Sequence, residues 1–200
     1  MKNYLISIFL LYSITLSSQL MGGFMSPTHT VTDIEGNEYK TVKIGTQIWM
    51  AENLRTAAYN DGTSIPNVTS GSTWSGLTSG AWCYYDNNSS YNIPYGKLYN
   101  WYTVETGNLC PTGWRVPDNT DFNTLINYSS TLANRGFNVV LSGSRSWNGS
   151  WAYLGVLMVF WSSTEANTTN SYRYFYEGGS FGSLASPVKK YGYSIRCIKD

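Results

Sequence analysis

The sequence predicts an α+β fold with two helices, antiparallel sheets and long loops. Strand-prone runs occupy the front, two helix-like segments the middle, and strand-prone runs return at the end. Composition agrees. Charged residues make up 12% of the 200 residues, about half the usual ~25% share. Aromatics, Gly, Ser, Thr and Asn fill the difference, a mix suited to a turn-rich β protein with a weakly charged surface.

The first element is a meander from Val31 to Leu54. Glu35-Gly36-Asn37 and Gly45-Thr46-Gln47 are turn signals between short strand-prone runs. Val42 and Ile44 alternate with Thr41 and Lys43, the period of a half-buried strand. Thr56 to Gly80 is poor in large aliphatics and reads as a long surface loop. Ala81-Trp82-Cys83-Tyr84-Tyr85 is a strand-like run, and Asp86 to Asn92 is another polar loop.

The first predicted helix spans Tyr95 to Thr106, with Leu98, Trp101 and Tyr102 spaced to share one face. The second follows Pro117. Asp118 is a good N-cap, Asp121 three residues on completes an approximate capping box, and Phe122, Leu125 and Ile126 form the apolar stripe. Four strands then follow: Phe137 to Leu141, Val156 to Trp161, Tyr172 to Tyr176 and Tyr193 to Ile198. In the third, Tyr172, Tyr174 and Tyr176 share a face. Gly178-Gly179-Ser180-Phe181-Gly182 lacks the lysine and helix of a phosphate loop and reads as a hairpin turn.

Residues 1–22 read as a signal peptide. Met1-Lys2 is positive, Tyr4 to Leu16 is largely apolar, and small or polar residues follow. The apolar run falls short of the ~20 residues of a membrane span, so no span is expected in the mature chain. Residues 23–30 are expected to be a short linker and 31–200 one domain. The expected location is secreted, periplasmic or outer cell surface. Export favours a disulfide. Cys83, Cys110 and Cys197 permit three single pairings; a Cys110–Cys197 bridge would close a loop of nearly ninety residues, and Cys83 reads best as a small buried hydrophobe.

Catalytic signals are weak. Net charge is +1 and no Lys/Arg cluster exceeds Lys189-Lys190, so no nucleic-acid partner is expected. The single histidine, His29, sits in the linker, a poor place for a triad base. Zinc-type clustering is absent from the sequence. No metal and no cofactor are expected. The three rings of Trp147, Trp151 and Tyr153 share a polar, glycine-bearing loop, which suggests stacking on a sugar or peptide. With Tyr172 and Tyr174 they are the candidate ligand-binding residues. The plainer alternative is that these rings plug the loop onto the core.

Seven segments together resemble a known family: Asp33-Ile34-Glu35-Gly36-Asn37-Glu38-Tyr39, the run from Gly45 to Leu54 (GTQIWMAENL), Ala81-Trp82-Cys83-Tyr84-Tyr85, the run from Tyr95 to Tyr102 (YGKLYNWY), the run from Cys110 to Pro117 (CPTGWRVP), Phe160-Trp161-Ser162-Ser163-Thr164-Glu165, and Gly192-Tyr193-Ser194-Ile195-Arg196-Cys197. In order and number they are similar to the Fibrobacter succinogenes major paralogous domain family of exported bacterial proteins. The resemblance implies a C-type-lectin-like fold with two helices, a lower sheet gathering both chain ends, and long loops above. It implies a Cys110–Cys197 disulfide from the start of the second helix to the last strand, and a source among bacteria of the Bacteroidetes and Fibrobacter type.

The calcium-binding motifs of sugar-binding C-type lectins are missing; Trp147-Asn148-Gly149 lacks their carboxylate. The formylglycine-generating oxidases of similar fold need a cysteine pair, which here would have to enlist Cys83. The leading expectation is therefore a non-catalytic binding module that presents loops to a glycan or protein ligand at the cell surface. The alternatives are an oxidase-like or cell-wall glycosidase activity, or a structural subunit of a surface assembly.

Overall fold

A computed structural model describes residues 29–128, 132 and 135–200. The expected signal peptide and all but the last two linker residues lie outside the described residues. In chain order the strands are β1 (Thr30–Thr32), β2 (Glu38–Ile44), β3 (Gln47–Met50), β4 (Trp82–Cys83), β5 (Leu98–Tyr99), β6 (Trp114–Arg115), β7 (Ser142–Arg145), β8 (Trp151–Leu154), β9 (Met158–Glu165), β10 (Asn170–Glu177), β11 (Ser180–Val188) and β12 (Ile198–Lys199). The described α-helices are α1 (Gly71–Ser75), α2 (Asn92–Tyr95), α3 (Trp101–Val104) and α4 (Asn119–Ile126). The fold is α+β.

Two five-stranded sheets dominate. One runs β1-β2-β3-β12-β6 and is antiparallel throughout. The other runs β11-β10-β9-β7-β8, with a single parallel pairing between β7 and β9. A short antiparallel β4–β5 pair lies apart from both. Between the sheets runs the segment 192–198, buried at every residue. Tyr193 exchanges backbone bonds with Tyr99, and Ser194 donates to Val159 O. The carbonyls of Ile195 and Cys197 accept from the amides of Leu54 and Met50. Few of these bonds extend into a ladder, so the expected strand Tyr193 to Ile198 narrows to β12.

The meander forms as read. Gly36 and Gly45 adopt the left-handed backbone its two tight turns need, with φ of +84° and +61°. The Asp33 carboxylate fastens the first turn, accepting from the amides of Glu35 and Asn37 and from the Tyr39 hydroxyl. The β10–β11 hairpin turns on Gly178 and Gly179, both at positive φ.

The expected helix from Tyr95 to Thr106 does not exist as one piece. It divides into α2, β5 and α3 at Gly96, whose φ is +74°. A Cβ at Gly96 would lie 2.8 Å from Asn53 Cβ and 2.9 Å from Leu54 O. The chain there presses against Asn53-Leu54, and Lys97 N donates to Leu54 O. Leu98 and Trp101 consequently enter different parts of the core. The two-helix expectation is corrected to four short α-helices among the described residues. The expected surface loop Thr56 to Gly80 is also corrected. It carries α1, on which Trp74 is fully buried and donates from Nε1 to Lys190 O at 2.7 Å. Phe137 to Leu141 is irregular backbone, although the Phe137 ring is core.

α4 is capped as expected. Asp118 accepts from the Asp121 amide, and the Asp121 side chain accepts from the Asp118 amide. Asp121 is also gripped by the Arg115 guanidinium, with Nη2 to Oδ1 at 3.0 Å. Partial burial alone would raise the Asp121 pKa. Arg115 and the Asp118 amide outweigh it and hold the carboxyl below the usual carboxylate range. Such a group stabilises the fold above its unfolded value of about 4 and loses that contribution as pH falls through the folded pKa. Asp121→Asn is expected to be less stable than the parent at pH 7, with the gap closing below about pH 4. Thermal melts between pH 2.5 and 7 measure this; a gap that stays constant would refute it.

No helix among the described residues is long and apolar enough to cross a membrane.

Candidate functional site

The site is built on the β7–β8 hairpin. Its tip, Ser146 to Ser150, closes through Ser146 N to Ser150 O (2.7 Å) and Gly149 N to Ser146 O (2.9 Å). Asn148 Oδ1 accepts from the amide and hydroxyl of Ser150. The tip rests on α1. Gly149 has φ +88°, and a Cβ there would lie 2.4 Å from Gly71 Cα, so only glycine lets the two backbones meet.

Arg145, on β7, holds this arrangement together. It is almost fully buried, with its guanidinium sandwiched between the rings of Trp74 (4.4 Å) and Trp151 (4.5 Å). Nη1 donates to Val68 O (2.6 Å), Nη2 to Thr69 O (2.8 Å) and Nε to Gly149 O (3.2 Å). One side chain thus fixes the 68–69 loop, α1 and the hairpin tip. Its charge is met by carbonyl oxygens and ring faces.

On this support stands a ridge of aromatic rings. Trp151 lies 5.4 Å from Tyr85, Tyr85 lies 6.2 Å from Tyr91, and Tyr91 lies 5.2 Å from Tyr95. Each ring is half-buried, so each retains solvent-facing area. Trp147 and Tyr153 extend from the same hairpin and are 51% and 55% exposed. Asp86, Asn87 and Tyr153 have φ of +51°, +53° and +66°, and all other positive-φ residues described are glycines. For tyrosine that backbone costs roughly 1–2 kcal/mol. Such strain concentrates at functional surfaces.

The expected candidates therefore divide. Trp147, Trp151 and Tyr153 all lie on the hairpin, Trp147 and Tyr153 largely exposed and Trp151 half-buried against Tyr85. Tyr172 is half-buried on β10, away from the ridge contacts. Tyr174 is a correction: it is 2% exposed, with its ring stacked on Phe122 at 4.2 Å. It faces the core because that side of β10 covers α4. Sequence reading missed Tyr85, Tyr91 and Tyr95. Their signal was the recurrence of tyrosine in and beside a polar loop, with Tyr91 and Tyr95 one helical turn apart.

Cys110 and Cys197 form a disulfide. Cys83 is free and buried. Desolvation pushes its thiol up to about 12, against the opposing pull of Arg145, so it carries no thiolate at neutral pH. Among the described residues no group of three or more His, Cys, Asp or Glu could hold a metal ion.

Residues 42–135 match the family described as Fibrobacter succinogenes major domain. The match runs from within β2 past the end of α4. It includes Tyr85, Tyr91 and Tyr95 and stops before the β7–β8 hairpin. No curated protein matches the chain.

Proposed function

We propose, from the premise that the chain belongs to the Fibrobacter succinogenes major domain family, that it is a binding module for a cell-surface or extracellular glycan. The observation that carries this reading is the ridge from Trp151 through Tyr85 and Tyr91 to Tyr95, with Trp147 and Tyr153 exposed on the hairpin that carries Trp151. Flat rings offer large apolar area at little entropic cost and suit the C–H faces of sugars. Asn87, Asn148 and Ser150 are exposed polar residues of the same loops. Arg145 holds the platform rigid, which lowers the ordering cost of binding. The disulfide favours an oxidising compartment, in keeping with secretion or surface display. β1, β2 and β12 share one sheet, in keeping with a lectin-like arrangement that gathers both ends of the domain.

A glycan array followed by titration tests the reading. Trp147→Ala is expected to weaken binding by about 1–2 kcal/mol, roughly 5- to 30-fold, with the melting temperature unchanged. A folded protein that retains no glycan, or whose affinity is indifferent to Trp147→Ala, would overturn it.

A further inference from the structure

The ring planes along the ridge turn from one member to the next. Trp151 and Tyr85 are inclined at 46°, Tyr85 and Tyr91 at 61°, and Tyr91 and Tyr95 at 78°. A flat crystalline face can lie against several rings at once only where their planes coincide. Here it would meet one ring and miss the next. A free glycan chain behaves differently, because rotation about its glycosidic bonds lets successive units turn to successive rings.

The spacing points the same way. From Trp151 to Tyr95, neighbouring centroids are 5.4, 6.2 and 5.2 Å apart. One pyranose ring and its bridging oxygen advance a chain by roughly 5 Å, given bonds of about 1.5 Å. Each step along the ridge thus matches one sugar unit. The row is open-ended: among the described residues Trp151 has a ring contact with Tyr85 and Tyr95 has one with Tyr91, and the two ends have none with each other.

The row is also held in place. The Tyr85 ring lies against β7, where a Cβ on Gly143 would come within 2.9 Å of Tyr85 Cε2. Tyr91 N donates to Asn88 O and Gly96 N to Asn92 O, closing the turns that carry Tyr91 and Tyr95. Asn53 Nδ2 donates to Tyr95 O at 2.9 Å. Rings set before binding lower its entropic cost. The segments that bear them are nearly free of charge. From Tyr84 to Tyr95 and from Ser146 to Leu154 the one acidic or basic side chain is Asp86. Arg145 adjoins the hairpin tip, but it is buried and its donors go to backbone carbonyls. These segments therefore offer a sugar acid no cation.

Resting on the glycan reading above, we propose that the ridge takes a single, uncharged, linear glycan chain along its length, one sugar unit to each ring, and rejects both crystalline polysaccharide and single sugars.

The test titrates the folded protein with linear β-1,4-linked oligomers of glucose, xylose and N-acetylglucosamine, one to six units long. Their ring substituents are equatorial, so both faces present C–H groups to aromatic rings. Affinity within a series that binds is expected to rise about fivefold with each unit up to four, and to level beyond that. Tyr91→Ala cuts the row, and its tetramer is expected to lose the advantage over the dimer. Tyr91→Phe keeps the ring and is expected to keep the parental dependence on length. If Tyr91→Ala fails to fold, the series on the parent protein and on Tyr91→Phe decides the matter. Affinity independent of length, or a parental length dependence in folded Tyr91→Ala, overturns this inference and leaves the glycan reading standing. Retention on crystalline cellulose without binding of soluble glucose oligomers does the same. Tighter binding of a galacturonate tetramer than of every neutral tetramer overturns the uncharged assignment. If none of these oligomers binds while the glycan array still shows a ligand, the inference falls alone; an empty array overturns it together with the glycan reading.

Discussion

Reducing the Cys110–Cys197 disulfide is expected to destabilise the domain by about 4–5 kcal/mol, the chain-entropy value for a loop of this length. The cross-link spans a sequence separation of 87 residues. For a domain of this size that is roughly a 10–15 °C fall in melting temperature. The location strengthens the expectation. Cys197 lies in the fully buried segment 192–198, and its carbonyl accepts from Met50 N on β3. Cys110 opens the turn that leads to β6, and β6 pairs with β12. Loss of the bond therefore loosens the junction of the first sheet with the segment between the sheets. Melting curves with and without reductant, and of a Cys110→Ser/Cys197→Ser variant, measure the effect. A change under about 3 °C would show that noncovalent contacts alone fix this junction. Cys83→Ser is the control: its thiol is buried and unpaired, and the variant is expected to keep the disulfide, as peptide mapping would show.

The second large effect is expected at Arg145. Replacing it by Met removes its hydrogen bonds to the carbonyls of Val68, Thr69 and Gly149, each part-buried bond to a charged group worth about 1.5–3 kcal/mol at most, and leaves Thr69 O with the Asn87 side chain as its donor. The stacks on Trp74 and Trp151 disappear as well. A total loss on the order of 3–5 kcal/mol follows. Arg145→Lys is expected to rescue little, because an ammonium cannot serve three carbonyls and two ring faces at once. The ridge depends on Trp151 resting against this guanidinium, so glycan binding is expected to fall further than stability alone explains. Titration below the melting transition separates the two effects. Parental affinity in folded Arg145→Lys would show that the ridge holds its shape without the fork.

The features legible in the sequence are those governed by local chemistry. The β2–β3 turn, the capping box at Asp118 and Asp121, and the Gly178-Gly179 hairpin each depend on residues a few positions apart. Features decided by distant contacts were not legible in this way. Leu98, Trp101 and Tyr102 have helical spacing, yet Gly96 must clear Asn53 and Leu54, and the helix breaks there. Nothing in Thr56 to Gly80 announces that Trp74 will meet Lys190, over a hundred residues away. The candidate site is similarly divided. Trp147 and Tyr153 stood out because large rings are conspicuous in a polar loop. Tyr85, Tyr91 and Tyr95 join them only because β7 and β8 bring the hairpin against their loop. Tyr174 obeyed the alternation of its strand, but alternation alone does not say which face α4 will cover.

The buried segment 192–198 also bears on when the domain can fold. Its partners include Met50, Leu54, Tyr99, Arg145 and Val159, drawn from nearly every part of the domain. Until segment 192–198 emerges from the ribosome, the strands and loops it bonds to lack these backbone partners. Long-range closure of this kind is slow. The full set of contacts around this segment can therefore close only after the last stretch of the domain has been synthesised.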